Sequence, residues 1–248
     1  MAPPTAQVFS IAPGLPFLPT LAGGILDGRF VSETRGTAAD PLSLAGVTVL
    51  VPTRRAARAL AEEFGRRLGG VAAILPRIRP IGDPDEMEGI LDAARHELVP
   101  EMDPLERRLV LGRLVRFWKE NLNEESLRLM AGEALVLPAS SADALYLAED
   151  LAAFLDEVTS DEAGLANLAA LAPDRLAHWW QLTLRFLAIL GEQWPAILQE
   201  RGLVDRVTAE TRRLHREAER LRERGSPAPL ILAGSTATTP ATLDFMAA

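Results

Sequence analysis

The stretch VTVLVPTRRAARAL, residues 47–60, decides how the chain is read. Val47 to Val51 form a continuous, largely β-branched run without polar alternation, which predicts a strand buried on both faces of a parallel sheet. Thr53 is placed to cap the helix RRAARALAEEFGRRLG that follows. A strand passing directly into a helix is the first half of a βαβ unit.

Working outward, VFSIA (residues 8–12) reads as a short strand ended by Pro13 and Gly14, with a helix after it through Leu18, Leu21, Ile25 and Leu26. VAAILP (residues 71–76) reads as a further strand, so the rhythm is that of an α/β sheet with right-handed crossovers. Beyond it the pattern turns helical: Leu105, Leu109, Leu114 and Phe117 recur at helical spacing, as do Leu145, Leu151, Phe154, Leu155 and Val158. Asp103 before Pro104, and Ser141 before Asp143, are expected helix starts. Trp179, Trp180, Leu184, Phe186, Leu187, Ile189, Leu190 and Trp194 predict a long helix buried round much of its girth, ending near Pro195. The tryptophans read as core. The charged run RRLHREAERLRERG reads as an exposed helix face, and PLILAG after it returns to β character. The expected fold is therefore an α/β parallel-sheet domain with a large all-helical insertion: residues 1–83, an insertion over 84–224, and a return strand over 225–248. Leu243 to Ala248 read as a helix cut short, which predicts the N-terminal piece of a longer protein.

At 248 residues, 48% apolar and with a mean hydropathy of +0.09, the chain has enough apolar material to fold. No charge-free apolar run is long enough for a membrane span, and the start lacks the pattern of a secretory signal. The sequence has no cysteine, which excludes disulfides, thiolate-bound zinc, thiol catalysis and cysteine-held iron–sulfur clusters within it. Of 26 basic residues only Lys119 is a lysine, and no glycine-rich turn precedes it, so an intact GxxxxGK[ST] phosphate loop is excluded. The net charge of −8 is unevenly spread: residues 1–82 carry nine arginines against five acids, and the remainder carries the whole acidic excess. The α/β part is thus the one suited to a polyanion.

Three blocks bear on chemistry. APGLPFLPTL (residues 12–21) occupies the turn where nucleotide-binding α/β domains carry a phosphate loop. Laid against the SAGSGKT form of superfamily 1 helicases, Gly14 meets the first loop glycine, Pro16 the second, Phe17 the lysine and Leu18 the threonine. Proline has no N–H for a phosphate and phenylalanine no charge, so this half-site reads as dead. Near the other end, PLILAGSTATTPATLDF aligned on Pro240 puts Ala233 and Gly234 where a magnesium-binding Asp and a catalytic Glu would stand, and Thr242 in place of a glutamine. Without those carboxylates the second half-site reads as dead as well. Between them, Thr53, Arg54, Arg55, Ala56 and Ala57 resemble the single-strand contact motif of the same helicases. A hydroxyl and N–H groups at a helix start can take a phosphate, and Arg54, Arg55 and Arg58 add charge; the bland alternative is a solvated helix face.

Together with LPRIRPIGDPDE and VFSIAPGLPF, these blocks resemble the alphaproteobacterial AddB family, a subunit of the AddAB helicase–nuclease of double-strand break repair. The resemblance implies a degenerate RecA-like first domain split by a helical insertion, without ATPase activity, in a bacterial cytoplasmic, nucleoid-associated protein. It also implies an AddA-like helicase–nuclease partner, with single-stranded and broken double-stranded DNA as ligands and no membrane. The family's iron–sulfur cluster and nuclease magnesium belong to domains outside this chain, so no cofactor is expected here. The alternative is a scaffold that docks the partner without touching DNA. The acidic stretch at residues 82–88 reads as helix capping; His96, His178 and His215 lack metal-ligand spacing, and Ser10, Ser140 and Ser235 lack a nucleophile setting.

Overall fold

The structure is a computed structural model that describes residues 7–31, 42–81, 99–120, 122, 140–165 and 178–248. It is mixed α/β and divides into two compact units, Met1–His96 with Arg212–Ala248, and Glu97–Thr211. Residues 82–98, which hold the acidic stretch and His96, lie outside the described residues.

The first unit is organised by β1 (Thr48–Val51), the strand expected from residues 47–51. It is the middle of a three-stranded parallel sheet, flanked by β2 (Arg77–Pro80) and β3 (Leu230–Leu232). The Arg77 N–H donates to the Val47 carbonyl at 2.9 Å and the Ala233 N–H to that of Leu50 at 2.9 Å, which ties both neighbours to it. Side chains alternate across a strand, so β1 feeds two cores. Val47, Val49 and Val51 join Leu21, Ala22 and Ile25 of α1 (Phe17–Leu26) and Leu60 and Phe64 of α2 (Arg54–Leu68). Leu50 points the other way, to Leu214, Ala218 and Leu221 of α6 (Arg206–Arg224) and Ala241 and Phe245 of α7 (Pro240–Met246). The result is a sheet covered by helices on each face, the arrangement a continuous apolar strand requires.

Two expected strands are corrected. Residues 8–12 form no strand: Val8 is 92% exposed and Phe9 stacks on Phe30 at 4.9 Å instead, so no ladder partner or burial rewards an extended pairing. Residues 71–76 are not a strand either, and pairing begins only at Arg77, after Pro76, which has no N–H to donate. Val71 and Ile74 are exposed, so the apolar run that suggests a strand is not the core. α7 ends at Met246, with the Ala247 N–H donating to the carbonyl of Leu243, and does not run on through Ala248.

α6 is less exposed than its charge suggests. Leu214, Ala218 and Leu221 form a buried stripe, and Glu217 is buried beside Arg220, to which it is paired. α6 also pins α7: the His215 Nδ1 lies 2.8 Å from Asp244 Oδ2, and Arg222 bonds the same carboxylate and donates to its backbone carbonyl at 3.0 Å. The Arg222 hydrogen bond, and after it that of His215, hold the Asp244 carboxyl below its ordinary value of 3.8. A carboxyl with a lowered folded value contributes stability at neutral pH that fades as pH falls below about 3.8 toward that folded value. Protection of the α7 amides, the exchange rate relative to that of the unfolded chain at the same pH, is therefore expected to fall on acidification through this range in the native chain, and to lose that step in Asp244→Asn.

The second unit is helical: α3 (Pro104–Glu120), α4 (Ser141–Ser160), α5 (His178–Arg201) and the first residues of α6. Asp103 caps α3 through the N–H groups of Leu105 and Glu106. The cap of α4 is Ser140, one residue earlier than expected, in a reciprocal box with Asp143. α5 does not end at Pro195, which sits inside it. From Phe186 onward it buries one stripe, Phe186, Leu190 and Trp194, while Ile189 is 47% exposed, so it is not buried all round. Trp118 packs on Phe186 at 4.7 Å. At the centre Trp194 donates to Asp205 Oδ2 at 2.6 Å, and Arg107 pairs with both Asp205 at 2.9 Å and Asp156 at 2.8 Å. Among the described residues no helix is long and apolar enough to cross a membrane.

Candidate nucleic-acid interface

β1 ends at Val51, and the chain crosses Pro52 and Thr53 before α2 begins at the carboxyl edge of the parallel sheet. In open α/β sheets that edge is where ligands gather. Thr53 is extended, with φ −140° and ψ 154°, and its Oγ1 accepts from the Ala56 N–H at 3.1 Å. The hydroxyl oxygen is thus committed as the helix cap, and its own proton is what remains to give to an oxyanion.

The first turn of α2 has no acid, and Arg54, Arg55 and Arg58 are exposed on its first turns. Positive side chains in the first turn of a helix are unfavourable by a few tenths to about 1 kcal/mol each, so the placement of Arg54 and Arg55 is not one that the helix dipole favours. Later in the same helix the arginines behave conventionally: Arg66 and Arg67 lie at the negative end and pair with the buried Glu63 at 2.5 and 3.2 Å. Arg55 and Arg58 have no such ion pair among the described residues. The four expected contact residues, Thr53, Arg54, Arg55 and Arg58, therefore sit within the first two turns of one helix start. Two open grooves flank them. One, of about 250 Å³, is lined by Arg54, Ala57, Arg58 and Ala61 with Leu75, Pro76 and Ile78. The other, of about 380 Å³, is lined by Arg54, Arg55, Arg58, Ala59 and Glu62.

The residues aligned with a nucleotide site are also placed. Gly14, at φ +89°, makes a tight turn after Pro13, with the Leu15 N–H donating to the Ala12 carbonyl at 3.2 Å. Pro16 precedes α1 without a side-chain cap, Phe17 opens the helix, and Leu18 packs on the α1/α2 core. Ala233 is buried in that core. Gly234 has φ +75°, and a Cβ there would stand 3.1 Å from the Phe17 ring and 3.8 Å from Pro52. Phe17 and Gly234, more than two hundred residues apart in sequence, thus meet at the sheet's carboxyl edge. Among the described residues no three His, Asp or Glu side chains gather as a metal would need.

Sequence reasoning misses Leu75, Pro76 and Ile78 as a groove wall beside the arginines, because the apolar run that leads into them reads as a buried strand. No family model matches the chain, and no curated protein or solved structure matches it either.

Proposed function

We propose that the first unit is a degenerate RecA-like domain of the superfamily 1 helicase type, with Glu97–Thr211 inserted, that holds single-stranded DNA at the start of α2 without hydrolysing ATP. On this reading the chain belongs with the AddB-like subunits of double-strand break repair and works beside an AddA-like partner. The observation that carries it is the pair Arg54 and Arg55 in the first turn of α2, where the helix dipole disfavours a cation and favours an anion, with Arg58 exposed one turn on. The Thr53 hydroxyl proton and the guanidinium forks address backbone oxygens, so binding is weakly dependent on base sequence and steeply dependent on salt.

Arg54→Ala/Arg55→Ala is expected to weaken affinity for a fluorescent single-stranded oligonucleotide and to flatten its salt dependence by about 0.7 for each phosphate no longer neutralised. Equal affinities and equal slopes in the two proteins would defeat the proposal. For the nucleotide half-sites, Phe17 supplies no lysine for the phosphates and Ala233 no carboxylate for magnesium. Calorimetry with ATP and magnesium is expected to give no saturable heat.

A further inference from the structure

We infer that the cluster of Arg107, Asp156 and Asp205 in the helical unit is a proton-operated latch: in mild acid Asp205 takes up a proton, and Arg107 passes from a place between the two carboxylates to Asp156 alone. The cluster is short of positive charge. One guanidinium lies 2.9 Å from Asp205 through Nε and 2.8 Å from Asp156 through Nη1, so with every group charged one negative charge is left over. Asp205 is the carboxylate that water reaches less, its side chain being 7% exposed against 36% for Asp156. A buried excess charge is relieved most readily by a proton on the group with the heavier desolvation.

The two oxygens of Asp205 differ, and the difference decides where the proton goes. Oδ2 accepts the Trp194 Nε1–H at 2.6 Å, whereas Oδ1 is buried and accepts no hydrogen bond among the described residues. Oδ1 is therefore the open position. A hydroxyl there and the Arg107 Nε–H would be two donors in one place, so the guanidinium has to leave it. Its far end is already held by α4, through Asp156 and through an Nη2–H that donates to the Ala152 carbonyl at 3.4 Å, which gives it somewhere to go. Among the described residues the charged groups facing Asp205 are Arg107 and Asp156, and α5 brings the neutral Trp194 indole. Glu106 of α3 is taken by Arg201 of α5, and Arg206 and Glu210 of α6 pair with each other. Burial accordingly outweighs the Trp194 hydrogen bond and Arg107, and holds the Asp205 carboxyl above its ordinary 3.8. A group with a raised folded value contributes most below its unfolded value and loses that contribution as pH climbs through the folded one. The helical unit thus tightens on acidification at a higher pH than that at which the Asp244 pin on α7 fades.

The test is an NMR titration of the whole chain that follows three signals: the carboxyl carbon of Asp205, the Trp194 indole N–H and the Arg107 Nε–H. All three are expected to shift together, with a midpoint above 3.8. Asp156→Asn leaves Arg107 to Asp205 alone and is expected to lower the midpoint. Asp205→Asn keeps an acceptor for the indole and has no proton to gain, so the Trp194 and Arg107 shifts are expected to vanish from that range. An Asp205 midpoint at or below 3.8 would overturn the latch, as would a midpoint indifferent to Asp156→Asn or a step that survives Asp205→Asn. An Asp205 carbon that titrates while the Arg107 signal stays still would overturn it too, since the arginine then keeps its place. Should either variant fold poorly, the three native signals alone decide between these outcomes.

Discussion

Arg107→Met is expected to destabilise the helical unit by about 3–5 kcal/mol, because the substitution leaves the buried Asp205 carboxylate without its counter-charge. The Arg107 side chain is 12% exposed and forms ion pairs with Asp205, whose side chain is 7% exposed, and with Asp156, which is 36% exposed; it also lies 6.0 Å from the centre of the Trp194 ring. Methionine keeps most of the stem's packing and removes the charge. Burial pushes the Asp205 carboxyl above its ordinary 3.8, against the lowering by the Trp194 hydrogen bond and by Arg107, and Asp156 adds to the rise. A carboxyl whose folded value is raised favours the folded state most in acid and loses that contribution as pH climbs through the folded value. Removing Arg107 takes away one lowering influence, so the deficit of the variant is expected to be larger at pH 7 than at pH 5. Urea unfolding followed by helical ellipticity at the two pH values checks both the size and the trend; a deficit independent of pH would mean that Arg107 contributes only packing.

Leu50→Ala is expected to cost about 2–5 kcal/mol in the sheet unit, the range for emptying a fully buried leucine site. Its side chain is 1% exposed and is the contribution of β1 to the α6/α7 core, whereas Val47, Val49 and Val51 serve the α1/α2 core. The two faces should therefore respond unequally. Hydrogen exchange is expected to rise most in α6 and α7, while α1 and α2 retain more protection; uniform loss across both layers would show that the sheet does not partition the cores.

The legible part of the fold is the part whose signal is local. Val47–Val51 is readable because an unbroken apolar run with a capping threonine leaves few alternatives, and Asp103 because a cap acts within three residues. Val8–Ala12 misleads because β propensity says nothing of whether a partner edge is present. Val71–Pro76 misleads because a hydrophobic run need not be a buried one, and β2 is the arginine-bearing edge segment after it. In the candidate site, Thr53 and its arginines are nearly consecutive, so the sequence alone names them; the wall of Leu75, Pro76 and Ile78 depends on how a loop returns to the sheet. The Arg107–Asp205–Trp194 cluster has no sequence signal, since its members come from α3, α5 and the turn before α6 and each is unremarkable alone.

The meeting of Phe17 and Gly234 has a consequence for substitution at this edge. A residue with a side chain at position 234 must accept a left-handed backbone of φ +75° and also displace an aromatic ring from within 3.1 Å. A lysine at position 17 would remove that ring while leaving position 234 still without a carboxylate. Neither substitution alone therefore relieves both constraints at this edge. Position 234 is thus held to glycine twice over, by the sign of its backbone angle and by the ring beside it, so the edge of the sheet there is fixed by two residues that no single substitution satisfies together.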